Sequence, residues 1–374
     1  MGKIIGIVAE YNPFHAGHAW QIEKAREMAG EESTVIVMMS GDFVQRGEWA
    51  IQPKAMRAVS ACRGGADAVF ELPLPWCLSS AEGFARGAVS LLLSLGITHL
   101  SFGSESAVLE KLSAAASRIS EPGFEEEVKA CLRACPNLTY PQARASVLGE
   151  DAVASPNDLL AVEYLIALQG TGVIPLPVRR LGSGHDEAGE SVCPSASELR
   201  ARILSGSISC PHADPSVMET ACLSRLRFLD REDFLSLPDC ADGLGARIWN
   251  AVREGSSLQQ VYDLAKTRRY THSRVRRAVM CAVLGIRSGD NAGAPPYARL
   301  LAMNSRGREF LASVKGRTAV PVVTLPKELE ARGTLRERKV FASGASAHDL
   351  YLLAFSALAD TKCGDDYRTG PAIV

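Results

Sequence analysis

Four short apolar runs with β-branched residues, at positions 3–9, 34–39, 67–72 and 99–102, recur at intervals of about 30 residues. Between them lie segments of helical spacing: 19–29 closed by Gly30, 53–63 with Pro53 at its start and Gly64-Gly65 after it, and 80–95 closed by Gly96. Strands alternating with helices at this interval predict an α/β fold, a parallel sheet covered by helices on both faces. Further helices are expected at 124–134 and at 156–169, the second opened by Ser155 with Pro156 at its first helical position, and a last strand at 173–181. From about residue 205 the strand rhythm fades and helical patterns take over. Two units are therefore expected, an α/β unit at residues 1–204 and a mainly α-helical unit at 205–374, and 374 residues suffice for each to bury a core.

Several classes of protein are excluded at this level. A composition of 47% hydrophobic and 22% charged residues is that of a globular chain, not a disordered or fibrous one. No run approaches the 18 or so apolar residues of a membrane span, and the first residues lack a secretion-signal core, so a cytoplasmic protein without a membrane association is expected. Ten Cys with no C-x-x-C pair read as reduced thiols. No partner protein is suggested.

The segment Asn12-Pro13-Phe14-His15-Ala16-Gly17-His18 directly follows the first strand and opens the first helix. The carboxyl end of a strand in an open α/β sheet is where ligands bind, and a helix N-terminus there offers free N–H groups and about half a positive charge to a phosphate. Two imidazoles three residues apart share one helix face, and Gly17 between them admits close approach. Capping or surface histidines would be the plain alternative. Neither G-x-G-x-x-G in the first turn nor G-x-x-x-x-G-K-[ST] occurs, so dinucleotide and P-loop readings lose support.

H-x-G-H at this place resembles the HIGH-motif nucleotidyltransferase superfamily. With Glu10-Tyr11 before it, Ser40-Gly41-Asp42-Phe43-Val44-Gln45-Arg46-Gly47-Glu48, Glu71-Leu72-Pro73, Ser80-Ala81-Glu82, Phe102-Gly103-Ser104-Glu105, Ser155-Pro156-Asn157-Asp158-Leu159-Leu160, Ser195-Ala196-Ser197-Glu198-Leu199-Arg200 and residues 269–277, the chain resembles the tRNA(Met) cytidine acetate ligase family nearly end to end. The resemblance implies a HUP-like, Rossmann-type nucleotidyltransferase domain followed by a helical tRNA-binding domain. It implies activation of acetate by ATP as acetyl-adenylate, then transfer of the acetyl group to the wobble cytidine of elongator tRNA(Met), giving N4-acetylcytidine. Adenylyl transfer to a small metabolite and non-catalytic RNA binding are the alternatives.

Carried over by position, Val8, Ala9, Glu10, Tyr11, Asn12, Pro13, Phe14, Ala16, Gly17, Ala19, Trp20 and Gln21 would wrap the nucleotide, with His15 and His18 on its phosphates. Gly103, Asn157, Arg179 and Arg180 would complete the ATP site. Asp42, Trp49, Pro53 and Ala154 depart from the family pattern. Attack on the α-phosphate builds charge on its oxygens and on departing pyrophosphate, so cationic donors are expected from His15, His18, Arg180 and Arg200. Ser195 and Ser197, at a predicted helix start, are either phosphate ligands beside Arg200 or an ordinary cap. Residues 41–54 read as a lid or substrate-contact loop, or as a solvated one. Lys54 within it is a catalytic candidate: an ammonium at a helix N-terminus calls for a ligand anion or a carboxylate nearby. Glu71, Glu82 and Glu105 are candidates for Mg²⁺, for orienting the cytidine amine, or for plain helix-dipole carboxylates.

Overall charge is −1, which as an average argues against a nucleic-acid partner. It is unevenly spread: residues 266–339 hold 17 Lys+Arg against 5 Asp+Glu. On a helix, Tyr270, Arg274 and Arg277 fall opposite Val275, Val279, Ala282 and Ile286. With Arg269, His272 and Arg276, this stripe is the expected tRNA-backbone surface. Residues 182–186 and Arg306-Gly307-Arg308 are weaker candidates.

Overall fold

The computed structural model describes residues 2–149, 153, 155–180, 194–355 and 362–374. Ala154 and the 182–186 loop, both singled out above, lie outside them. The first half runs β1 (Ile4–Ala9), α1 (Ala16–Ala29), β2 (Thr34–Ser40), a hairpin of β3 (Phe43–Val44) and β4 (Glu48–Trp49), α2 (Lys54–Arg63), β5 (Ala68–Leu72), α3 (Leu74–Cys77), α4 (Ala81–Ser94) and β6 (His99–Ser104). Helices α5 (Leu109–Ile119), α6 (Phe124–Ala134), α7 (Tyr140–Leu148) and α8 (Pro156–Leu168) precede β7 (Ile174–Arg179). Of these, α3, α5, α7 and the hairpin are absent from the sequence expectations, although Thr139 and Gln142 form a capping box at the start of α7.

The sheet order is β10-β8-β5-β2-β1-β6-β7, with β2, β1, β6 and β7 all parallel. Side chains alternate along β1 and β2 between two cores. Ile5, Ile7, Val35 and Val37 meet Ile22 and Ala25 of α1 and Ala58 and Ala61 of α2. Ile4, Ile36 and Met38 meet Phe84 and Leu92 of α4 and Val162 and Leu165 of α8. Gly6 lets α4 approach β1 closely, since a Cβ there would stand 3.0 Å from Leu92 Cδ1. The chain leaves β1 toward β2 on one side and later returns to β6 on the other. This switch point opens a crevice at the carboxyl end of β1, where the H-x-G-H segment begins α1.

After α9 (Ala196–Leu204), helices α10 (Pro215–Arg227), α11 (Arg231–Leu235), α12 (Leu244–Glu254), α13 (Leu258–Ala265) and α14 (His272–Leu284) share one core. The expected helical unit separate from the sheet is corrected beyond this point. Strand β8 (Ala298–Met303) joins the sheet antiparallel to β5, followed by α15 (Ser305–Val314) and β9 (Val322–Val323), which pairs with β8. Helices α16 (Lys327–Arg332), α17 (Leu335–Leu352) and α18 (Asp365–Arg368) lead to β10 (Ala372–Ile373), paired with β8. The run Ala298-Arg299-Leu300-Leu301-Ala302 is buried on both faces, so it lacks the alternation that marks a strand in sequence. Helix α17 places Tyr351 in the helical core and Phe341 in the sheet core, fusing the two parts.

Candidate active site

His15 is the N-cap of α1. Its Nδ1 accepts the Gly17 amide hydrogen at 3.1 Å, and Nδ1 of His18 accepts the amide hydrogen of His15 at 3.2 Å, a capping box built from two imidazoles. Because both Nδ1 atoms accept, each neutral ring carries its proton on Nε2. The rings stack with centroids 3.8 Å apart, and Tyr11 packs on His18 at 4.7 Å. Burial, then nearby positive charge, lowers both pKa values, with Arg180 acting on each and His15 also acting on His18. With both values below the ordinary 6.5 and Nδ1 accepting in each ring, the neutral form of each histidine presents Nε2–H as its donor, in place of the cationic donors expected from sequence.

Three contacts hold the loop before them. Arg57 Nη1 donates to the Glu10 carbonyl at 2.6 Å, Ile51 N donates to Asn12 Oδ1 at 2.7 Å, and Arg200 Nη1 donates to the Asn12 carbonyl at 2.8 Å. Pro13 follows a cis peptide bond. The Phe14 ring occupies the space a Gly64 side chain would need, since a Cβ there would fall 2.3 Å from it. The Glu10 carboxylate accepts the Gln45 amide hydrogen at 2.7 Å. Val8 and Ala9 end β1 half-buried, while Ala19, Trp20 and Gln21 line the second turn of α1, with the Lys24 ammonium 4.4 Å over Trp20.

Across the crevice, β6, α8 and β7 bring Gly103, Asn157 and Arg180 together. Arg180 Nη1 donates to Asn157 Oδ1 at 3.3 Å, and the side chain passes over Gly103. Asn157 Nδ2 donates to Glu105 Oε1 at 2.5 Å, and Glu105 Oε2 accepts from Asp158 N at 3.2 Å. Asp158 in turn accepts from Ser104 Oγ, Glu105 N and Ser106 N. Burial opposes its charge, yet these hydrogen bonds outweigh burial and keep its pKa low. Asp158 stands inside the quoted motif at a helix start, a signal that sequence reading passed over. Arg179 is exposed at the end of β7.

Other candidates have different places. Ser195 caps α9 by accepting from Glu198 N, and Ser197 Oγ accepts from Arg200 Nη2, so the ordinary-cap reading describes Ser195. The 41–54 segment is neither a free lid nor a solvated loop, for Phe43, Val44, Gly47, Ala50 and Ile51 are buried. Lys54 is buried too. Its Nζ meets Asp366 Oδ2 at 2.5 Å, Glu71 Oε1 at 2.9 Å and Asp42 Oδ2 at 3.5 Å. Arg299 bonds Glu71 and Asp366, and His348 Nδ1 meets Asp42 at 2.7 Å. Lys54 is thus corrected from a catalytic candidate to the centre of a buried ion cluster, and carboxylates are the anions its position called for. The partners Arg299, His348 and Asp366 have no local sequence signal. Glu71 and Glu105 are likewise engaged, and Glu82 is a surface residue beside Arg86. Among the described residues no group of three His, Cys, Asp or Glu could hold a metal ion.

The chain matches the family described as HIGH Nucleotidyl Transferase over residues 2–366. It is 36% identical to the tRNA(Met) cytidine acetate ligase of Syntrophotalea carbinolica, over 86% of this chain and 84% of that one. The enzyme of the same name from Syntrophomonas wolfei is 30% identical over 98% of this chain and 99% of its own length. The chain belongs to the tRNA(Met) cytidine acetate ligase family. Its fold superposes on Thermotoga maritima TmcAL bound with alpha-thio ATP at a TM-score of 0.85 and 25% identity, covering 100% of this chain and 99% of that one. The apo form of the same protein gives 0.86.

In this member of the acetate ligase family the expected basic stripe is partly buried, and several of its cations are paired within the chain. Tyr270 is 6% exposed and its hydroxyl donates to the Asp242 carbonyl, which corrects its reading as a surface aromatic. Arg274 bonds the Asp239 carbonyl and Asp242, Arg276 pairs with Glu48, and Arg277 is partly buried. Buried His272 Nδ1 has no partner, and Arg306 bonds the carbonyls of Glu31 and Ser33. The loop before α14 exposes Lys266, Arg268 and Arg269, and further along the basic segment Arg308, Lys315, Arg317, Arg338 and Lys339 also face solvent. No helix among the described residues is long and apolar enough to cross a membrane.

Proposed function

We propose that the chain is an ATP-dependent acetate ligase that forms acetyl-adenylate and passes the acetyl group to the wobble cytidine of elongator tRNA(Met). The observation that carries this reading is the stacked His15–His18 pair at the start of α1, facing Gly103, Asn157 and Arg180 across the switch point, in a chain similar end to end to such ligases. Nε2–H of each histidine and the α1 N-terminus would bind the α-phosphate oxygens as acetate attacks, while Arg180 supplies positive charge toward pyrophosphate. Preset neutral donors suit this step because they need no reorientation as charge develops. Asn157, held between Glu105 and Arg180, would position the nucleoside, and Arg200 the loop at Asn12. Mg²⁺ would enter with the triphosphate, as it does where substrate phosphates supply most of its ligands. A cytoplasmic location follows from the tRNA substrate.

The test is incubation with ATP, labelled acetate and tRNA(Met) transcript. Label in the RNA with acetate-dependent AMP release is expected; neither product appearing would defeat the reading, and adenylyl transfer without RNA labelling would favour a small-metabolite acceptor. For the RNA surface, Arg268→Ala with Arg269→Ala should weaken tRNA binding and flatten its log-log salt dependence by about 0.7 to 0.9 per lost phosphate contact. A slope equal to that of the parent chain would move the RNA elsewhere.

A further inference from the structure

Acetylation of an exocyclic amine releases a proton, and the groups assigned above are poorly placed to receive it. His15 and His18 have their Nδ1 lone pairs taken by backbone amides and their Nε2 atoms protonated. Glu105 and Asp158 are held by side-chain and backbone donors. Asp42, Glu71 and Asp366 are paired with Lys54 and Arg299, and Glu48 with Arg276. Burial pushes the Cys77 thiol up to about 12 and the Tyr164 phenol higher still, so neither is ionised near neutrality.

Glu10 differs from all of these. It follows β1 directly, five residues before His15, at the crevice end of the sheet. Its backbone is fixed by Arg57 and its Oε1 by the Gln45 amide, whereas Oε2 meets no donor among the described residues. We propose that Glu10 is the proton acceptor of the acetyl-transfer step, an inference that rests on the ligase reading. The amine nitrogen forms a bond to the acetyl carbon, the bond from that carbon to the adenylate oxygen breaks, AMP leaves with the electron pair, and the amine proton moves to Glu10 Oε2. The groups around the carboxylate are Gln45, Arg46 and Glu48 of the hairpin, Arg57 of α2, Cys77 of α3 and Tyr164 of α8. Burial is the largest influence and raises its proton affinity, against the pull of the Gln45 amide, Arg46 and Arg57. A base so tuned sits nearer the working pH than an ordinary carboxylate.

The test separates transfer from activation. Enzyme is loaded with ATP and acetate, tRNA(Met) is added, and the single-turnover transfer rate is followed from pH 5 to 9 beside acetate-dependent pyrophosphate exchange. For the parent chain, transfer should rise with pH and level off. Glu10→Gln keeps an oxygen for the Gln45 amide; it should lower the ratio of transfer to exchange about 100-fold or more and abolish the rise. Glu10→Asp should restore the rise at a reduced rate. Equal losses in transfer and exchange, or an unchanged ratio in Glu10→Gln, would overturn the proposal. Absence of exchange in the parent chain would instead defeat the ligase reading itself.

Discussion

Replacing His15 with Asn should leave α1 capped and still lower acetate-dependent ATP–pyrophosphate exchange roughly 100-fold to 1,000-fold. Asn is among the best N-cap residues, and its Oδ1 can take over from Nδ1 in accepting the Gly17 amide hydrogen. What it lacks is the Nε2–H on the far side of the ring. His18→Asn makes the same separation at the third helical position, where His18 Nδ1 accepts from His15 N. Alanine at position 15 removes cap and donor together, adding a stability loss of about 1 kcal/mol. Thermal melts beside exchange assays distinguish these effects. A His15→Asn enzyme exchanging within ten-fold of the parent would show that the pair serves the helix and not the phosphate.

Lys54→Met should be among the most destabilising single substitutions in the chain, by about 3 to 5 kcal/mol, because it removes the one ammonium that meets Asp42, Glu71 and Asp366 together and leaves buried carboxylate charge undercompensated. Burial alone would favour the neutral amine, but Asp366, Glu71 and Asp42 outweigh it and hold the ammonium charged. The sign with pH follows from the carboxylates. Burial works against the charge on Asp42 and Asp366, but Lys54 leads the groups that hold both below the usual 3.8. That stabilisation is present above about 3.8 and is lost as pH falls through the depressed folded values. The deficit of Lys54→Met in denaturant titrations should therefore be full at neutral pH and shrink in acid. His348 runs the opposite way: burial lowers its pKa, but Asp42 overcomes this and raises it above 6.5. Its contribution is full below 6.5 and fades as pH rises through the raised value, so the cost of His348→Gln should be larger at pH 6 than at pH 9. A pH-independent deficit in both variants would mean that the cluster is not held by charge.

The strands and helices around the crevice were legible because each carries a complete local signal: a β-branched run, a Pro or Ser start, a Gly stop. The H-x-G-H pair was placed correctly for the same reason, as was the meeting of Gly103, Asn157 and Arg180 that the family resemblance implied. The ionic state of the histidines was not legible, since it depends on which nitrogen meets a backbone amide. Lys54 misled because its partners Arg299, His348 and Asp366 lie hundreds of positions away. Tyr270 misled because a charged neighbourhood in sequence suggests a surface, while its ring packs inward and only its hydroxyl needs a polar partner.

The strand that follows the helical part also bears on when the fold can form. β8 covers the edge of β5, and the cluster at that edge takes Arg299, His348 and Asp366 from the last fifth of the chain. A ribosome that has released only the first 204 residues has therefore exposed a bare strand edge and a lysine between carboxylates without their second cation. The nucleotide crevice, although encoded almost entirely by early residues, is expected to mature only after synthesis nears its end, and early truncation should yield an aggregation-prone fragment and not a smaller enzyme.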